Sequence, residues 1–169
     1  MNMKKHLYTI LLVPLALLSA CAYNEDYEVT ENSTDAFEIG NRYYYGCDSL
    51  TCVTLSEAVR TIGDGAFSEC HGLTSVVLPS HLSQISTLAF SDCPDLTSVV
   101  IPQSVATIGD GAFSGCCKLS DIHVQNMTPP QCGYIAFFGT SATLYVPRGT
   151  REDYAFAYGW RDFKTIIEE

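Results

Sequence analysis

The chain has 169 residues, enough for one domain, and 47% of them are hydrophobic, which supplies a core and excludes disorder throughout. The formal net charge is -10; Lys4 and Lys5 lie in a segment expected to be removed, and without them 7 basic residues face 19 acidic ones, a balance of -12. Such a surface repels phosphate backbones and anionic headgroups, which argues against nucleic acid and favours basic or neutral partners.

Residues 1–20 read as an export signal. Lys4 and Lys5 precede an apolar run from Leu7 to Leu18 that is short for a membrane span and is followed by small residues. Its end, Leu18-Ser19-Ala20-Cys21, resembles the lipobox of bacterial lipoproteins, which implies that Cys21 carries the lipid and becomes the mature N-terminus. Cleavage near Ala22 by an ordinary signal peptidase is the competing reading. Two or more acyl chains hold a protein on a membrane without spanning it. Residues 21–37 are expected to form this lipidated N-terminus and a flexible acidic tether, because they show no apolar period. Glu25-Asp26 resembles the signal that sends lipoproteins of the Bacteroidetes outward, which implies an outer-membrane protein exposed at the cell surface, with the periplasmic face as the other orientation.

From residue 38 the sequence repeats. Cys47, Cys70, Cys93 and Cys116 lie 23 residues apart, as do Leu50, Leu73, Leu96 and Leu119, and Tyr44, Phe67, Phe90 and Phe113. A period of this size indicates a solenoid. The units are 38–60, 61–83, 84–106 and 107–129, so four coils span 38–129. In each, Val-x-Leu or its equivalent has a period of two and predicts a short strand, which Pro79 and Pro102 end in the middle copies. Gly-Asp-Gly near Ile62 and Ile108 predicts a turn or a single helical turn. Stacked coils bury like residues against like, with parallel strands about 4.8 Å apart.

The repeated stretches TIGDGAFSECHGL (61–73) and TIGDGAFSGCCKL (107–119) could be a phosphate loop, a metal site or a thiol site. The middle coil decides against these: Ser86-Thr87-Leu88 replaces Gly-Asp-Gly while Ala89-Phe90 and Cys93 persist, so packing recurs and the supposed site does not. His71 has no repeat counterpart and is expected in solvent at a turn. Residues 130–169 read as a C-terminal capping unit, with a strand at Leu144-Tyr145-Val146 before Pro147 and a helix capped by Thr150 and stopped by Gly159. Trp160, Phe163 and Ile166 then close the stack.

These units resemble the leucine-rich repeats of the BspA-like type found in Bacteroidetes surface proteins. The family pattern A-F-x-x-C-x-x-L-x-x-V-x-I-P is matched by Ala66-Phe67, Cys70, Leu73, Val76 and Leu78-Pro79, and again by Ala89-Phe90, Cys93, Leu96, Val99 and Ile101-Pro102. The first unit departs, with Tyr43-Tyr44 for Ala-Phe. The expected fold is an α/β repeat solenoid, a short stack with one short parallel strand per 23-residue coil, irregular or short-helical arcs, and a helical C-terminal cap. The resemblance implies a non-enzymatic surface protein that binds a protein or extracellular-matrix partner in adhesion or host interaction.

The residues themselves leave two other roles open, a structural or accessory envelope protein and a thiol-dependent enzyme using an exposed cysteine. The ladder cysteines, Cys47, Cys70, Cys93 and Cys116, are expected to be mostly free, inward-facing thiols. Seven cysteines remain beside lipidated Cys21, an odd number, and no spacing rule decides whether two of Cys52, Cys117 and Cys132 pair. No catalytic residue, metal or cofactor is assigned: zinc-type spacings and a Walker lysine are missing from the repeats, and no small-molecule substrate is expected. The candidate partner-binding face follows from strand alternation. Thr54, Ser75, Val77, Ser98, Val100, Asp121 and His123, with Cys52, point outward, and Val77 and Val100 form its centre. Tyr43-Tyr44-Tyr45 is read as an N-terminal cap or a ligand grip, and Tyr134, Phe137 and Phe138 as closing the last irregular coil.

Overall fold

The computed structural model describes residues 37–169, so the expected export signal at 1–20, Cys21 and residues 22–36 lie outside the described residues. The chain winds as a parallel solenoid of about six turns with little helix. The strands are β1 (Phe37–Ile39), β2 (Cys52–Thr54), β3 (Val59–Ile62), β4 (Ser75–Val77), β5 (Gln84–Ile85), β6 (Ser98–Ile101), β7 (Thr107–Ile108), β8 (Asp121–Val124), β9 (Gln131–Cys132), β10 (Thr143–Val146) and β11 (Ile166–Glu168). They form two all-parallel sheets, β1-β3-β5-β7-β9 and β11-β10-β8-β6-β4-β2. The second sheet contains the strands that Val-x-Leu predicts, and Pro79, Pro102 and Pro147 follow β4, β6 and β10. The first was not anticipated. Strands of two residues, such as Gln84–Ile85, are too short to show alternation, although Thr61 pairs with Gln84 and Gln84 with Thr107 in the 23-residue register.

Inside, the aromatic rings stack in one column. Tyr44, Phe67, Phe90, Phe113 and Phe137 follow each other at centroid distances of 5.1, 5.1, 5.3 and 5.5 Å, with rings within 13° of parallel. Beside it runs a column of thiols. Cys70 Sγ donates to the Tyr44 carbonyl at 3.0 Å, Cys93 Sγ to that of Phe67 at 3.0 Å, and Cys116 Sγ to that of Phe90 at 3.1 Å. Cysteine therefore fits this position as a small apolar group with one weak donor aimed at a turn carbonyl. Cys70, Cys93 and Cys116 are free and buried as expected; Cys47 is buried too, but it is disulfide-bonded and so is not the free thiol expected. Cys52, Cys117 and Cys132 are all free, so no pair forms among them.

The arcs between the sheets form a third ladder. Arg42, Tyr44 and Gly46 donate their N–H groups to the carbonyls of Asp64, Ala66 and Ser68, and the same three bonds recur between each arc and the next. Beyond residue 129 the register changes. Thr107 pairs with Gln131, 24 residues on, whereas Asp121 pairs with Thr143, only 22 on. Phe137 and Leu144 still occupy ladder positions. The last turn contains α1 (Arg151–Phe156), which ends before Tyr158 rather than running to Gly159. Thr150 precedes it, but Thr150 Oγ1 turns back to the Pro147 carbonyl at 2.7 Å. The Glu168 carboxylate accepts the N–H of Arg151 at 3.2 Å instead. Trp160 is fully buried, its Nε1–H donates to the Pro130 carbonyl at 2.9 Å, and its ring lies 5.3 Å from Phe137.

Candidate partner-binding face

The outer side of the second sheet carries every residue of the predicted face. Val53, Val76, Val99, Ile122 and Leu144 point inward and are buried, so their strand neighbours point out. Register then aligns two rows. Cys52, Ser75, Ser98, Asp121 and Thr143 form one. Thr54 pairs with Val77 in the other, where Val100, His123, Tyr145 and Ile167 continue in sequence. Val77 is 54% exposed and Val100 46%, although both are β-branched residues within a parallel sheet, a type usually buried on both faces.

Toward the C-terminus the row becomes aromatic and ionic. The His123 ring stacks on Tyr145 with centroids 4.4 Å apart and planes 8° from parallel, and His123 Nδ1 lies 2.9 Å from Glu169 Oε1. A hydrogen bond to the Asp121 carboxylate holds the Tyr145 hydroxyl above the usual phenol range. Alternation found Asp121 and His123 but missed Tyr145, Ile167 and Glu169. Their strands fall outside the fixed offset of 23, and only the next strand's Leu-x-Val alternation at 144–146 could have signalled Tyr145. The face is nevertheless small. Six strands about 4.8 Å apart and three to four residues long cover roughly 300 Å², against about 800 Å² on each partner of a standard interface.

The repeated Gly-Asp-Gly stretch has a backbone task. Asn41 Oδ1 accepts the Asp64 N–H at 2.7 Å, Asp64 Oδ1 that of Thr87 at 3.1 Å, and Asp110 Oδ1 that of Tyr134 at 2.7 Å. Each side chain thus ties its own arc to the following coil. His71 is exposed, as expected, and its Nδ1 lies 2.7 Å from Asp48 Oδ1, which lowers the Asp48 carboxyl. Tyr44 is the first rung of the aromatic column, whereas Tyr45 is partly exposed beneath the Arg42 guanidinium, 3.8 Å from its ring centre. The ladder thiols are poor nucleophiles in place: burial pushes Cys116 up to about 12. The Cys70–Cys93 interaction lowers Cys70 and raises Cys93 far above the thiol range, but both sulfurs are fully shielded from solvent.

A family model for the BspA type leucine rich repeat region matches residues 37–158 in six copies. No curated protein matches the chain significantly. Among solved structures, the T. pallidum leucine rich repeat protein TpLRR is 30% identical with a TM-score of 0.63, covering 78% of this chain and 63% of its own. The pneumococcal vaccine antigen PcpA (19% identity, TM-score 0.59) covers 85% of this chain and 43% of its own. A leucine rich cell surface protein of Faecalibacterium prausnitzii (24%, TM-score 0.53) covers 78% and 29% respectively. The chain thus spans under two thirds of each of these proteins, and the last two likenesses show the fold alone. With the six-copy match over most of its length, and with the stacked Phe, Cys and Leu columns that the repeat specifies, the chain belongs to the BspA-type leucine-rich repeat family.

Proposed function

We propose that this protein is a lipid-anchored, non-enzymatic cell-surface protein that binds a protein or extracellular-matrix partner through the outer face of its second sheet. The observation that carries this reading is the half-exposed pair Val77 and Val100 in a regular sheet, continuous with the stacked His123–Tyr145 pair. Apolar centres edged by aromatic and charged groups suit partner recognition. The anchor rests on Leu18-Ser19-Ala20-Cys21 and the surface location on the acidic stretch behind it. Because the face is small, the expected contact is weak in one copy and gains strength when many anchored copies engage together. The non-enzymatic reading is supported by the commitment of Cys70, Cys93 and Cys116 to carbonyl partners in the core.

The test compares wild type with the Val77→Asp plus Val100→Asp double variant in pull-downs from host and bacterial surface fractions. A partner retained by wild type and lost by the variant is the expected result. Retention by both, with circular dichroism showing both folded, would remove the strand face from the proposal. Protease shaving of intact cells checks location: protection of the protein would move it to the periplasm.

A further inference from the structure

The arc ladder stops one rung early. In four successive steps an arc donates three N–H groups to the next, ending with Gly111, Phe113 and Gly115, which reach the carbonyls of Tyr134, Ala136 and Phe138 at 2.9, 2.7 and 2.9 Å. The equivalent donors of the fifth arc are Ile135, Phe137 and Gly139. Their backbone repeats the earlier arcs, since Ile135 and Gly139 have φ of 50° and 82° where Gly111 and Gly115 have 60° and 78°. The three N–H groups therefore point along the stack in the same direction, yet none has a hydrogen-bond partner among the described residues. The sixth turn offers no matching carbonyls because it uses its chain for α1, and the Ala157 carbonyl receives the N–H groups of Trp160 and Arg161 instead.

A cleft of about 580 Å³ opens at this place, between residues 133–142 and 158–165. Trp160 and Phe163 close the core behind Phe137, at 5.3 and 5.2 Å, so the cleft is a slot beside the core and not an entry to it. Tyr134 and Phe138 stand at its wall with two thirds of their surface exposed. Residues 37–169 carry 7 basic and 14 acidic residues, yet Arg161 and Lys164 line this cleft against only Asp162. It is a locally cationic spot on an acidic molecule.

We propose that this cleft is a second binding site, separate from the strand face, for a polypeptide segment bearing acidic side chains that takes up the arc conformation. Alternate carbonyls of the segment take the N–H groups of Ile135, Phe137 and Gly139, and its carboxylates lie beside Arg161 and Lys164. Three donors spread over five residues fit a main chain, as in the preceding step, where the carbonyls of every second residue, Tyr134, Ala136 and Phe138, take three such N–H groups. A single small anion would leave at least one donor unmet. The bound segment supplies the arc that the sixth turn lacks.

Amide exchange followed by NMR on the full chain tests this. In the free protein the N–H groups of Ile135, Phe137 and Gly139 should exchange at least ~100-fold faster than those of Gly111, Phe113 and Gly115. The probe is an end-blocked hexapeptide of alternating Glu and Val, with a Lys and Val counterpart. The acidic peptide should slow the three amides and bind at least ~10-fold more tightly than the basic one, with Arg161→Glu plus Lys164→Glu reversing that preference. Val77→Asp plus Val100→Asp should leave it unchanged, which separates this site from the strand face. Protection of the three amides in the free chain, equal binding of both peptides, or shifts confined to the strand face would each overturn the proposal.

Discussion

Two positions in every arc hold left-handed backbone. Arg42, Gly65, Leu88, Gly111 and Ile135 occupy one, at φ between 50° and 61°; Gly46, Glu69, Asp92, Gly115 and Gly139 occupy the other. A side chain at such a position costs about 1–2 kcal/mol, so the glycine after Asp64 and Asp110 relieves a strain that Leu88 bears in the middle coil. Leu88 also limits what its neighbour can become. A Cβ on Gly111 would lie 2.8 Å from Leu88 Cδ2, the free end of a side chain that is 45% exposed. Gly111→Ala is therefore expected to destabilise by about 2 kcal/mol, the sum of the left-handed penalty and this contact. In a Leu88→Gly background the contact is gone and the cost should fall by at least ~0.5 kcal/mol. Urea unfolding of the four proteins measures the coupling, and additive effects would show that Leu88 simply swings aside.

At the scale of the element, the cysteine column links packing to pH. Cys116 is wholly buried, with its S–H on the Phe90 carbonyl, and its thiol is pushed up to about 12 from an ordinary 9.0. The unfolded chain ionises this thiol first as pH rises, so the native state holds the extra proton and loses stability as pH increases. The contribution is fully present below pH 9 and disappears between 9 and 12, on the order of 4 kcal/mol from this site. Chemical denaturation at pH 8 and pH 10.5 should show a clear drop in wild type and a smaller one in Cys116→Ser, whose hydroxyl keeps the donor without titrating. These columns were legible in the sequence because Cys70, Cys93 and Cys116 recur at one offset and so do Phe67, Phe90 and Phe113. Fixed offset is also why the reading faltered. Phe137 follows Phe113 by 24 residues and Leu144 follows Ile122 by 22, so the fifth turn was read as a cap and Tyr145 was missed from the strand face. The first sheet stayed hidden for another reason: two-residue strands are fixed by stacking against the coils above and below, not by a local pattern. Asp64 and Asp110 looked dispensable because Thr87 replaces them in the middle coil, and their bonds to the next coil's backbone become visible only in three dimensions.

For the whole molecule, a stack in which each turn touches only its neighbours has a stability that depends on where it is damaged. Phe90 is flanked by Phe67 and Phe113 at 5.1 and 5.3 Å, so its loss weakens two junctions at the centre. Trp160 packs on Phe137 at one end of the column, and on Tyr154 at 5.3 Å. Truncating either ring creates a cavity worth about 3–5 kcal/mol. The equilibrium cost is thus of the same order for both, while the pattern of opening is not. Phe90→Ala removes the middle of the column, so amide protection should fall across β4, β6 and β8 together. Trp160→Ala unseals the last turn, so β10 and β11 should lose protection first while β4 and β6 keep theirs. Hydrogen exchange read strand by strand checks this, and uniform loss in Trp160→Ala would mean that six turns melt as a single unit. That outcome matters for the cleft, because the last turn forms one of its walls. If the end turn opens by itself, the Trp160→Ala variant should lose the acidic peptide while the strand-face partner, left with Val77 and Val100 but without a fixed Tyr145, is only weakened; if the stack melts as one, both should be lost together.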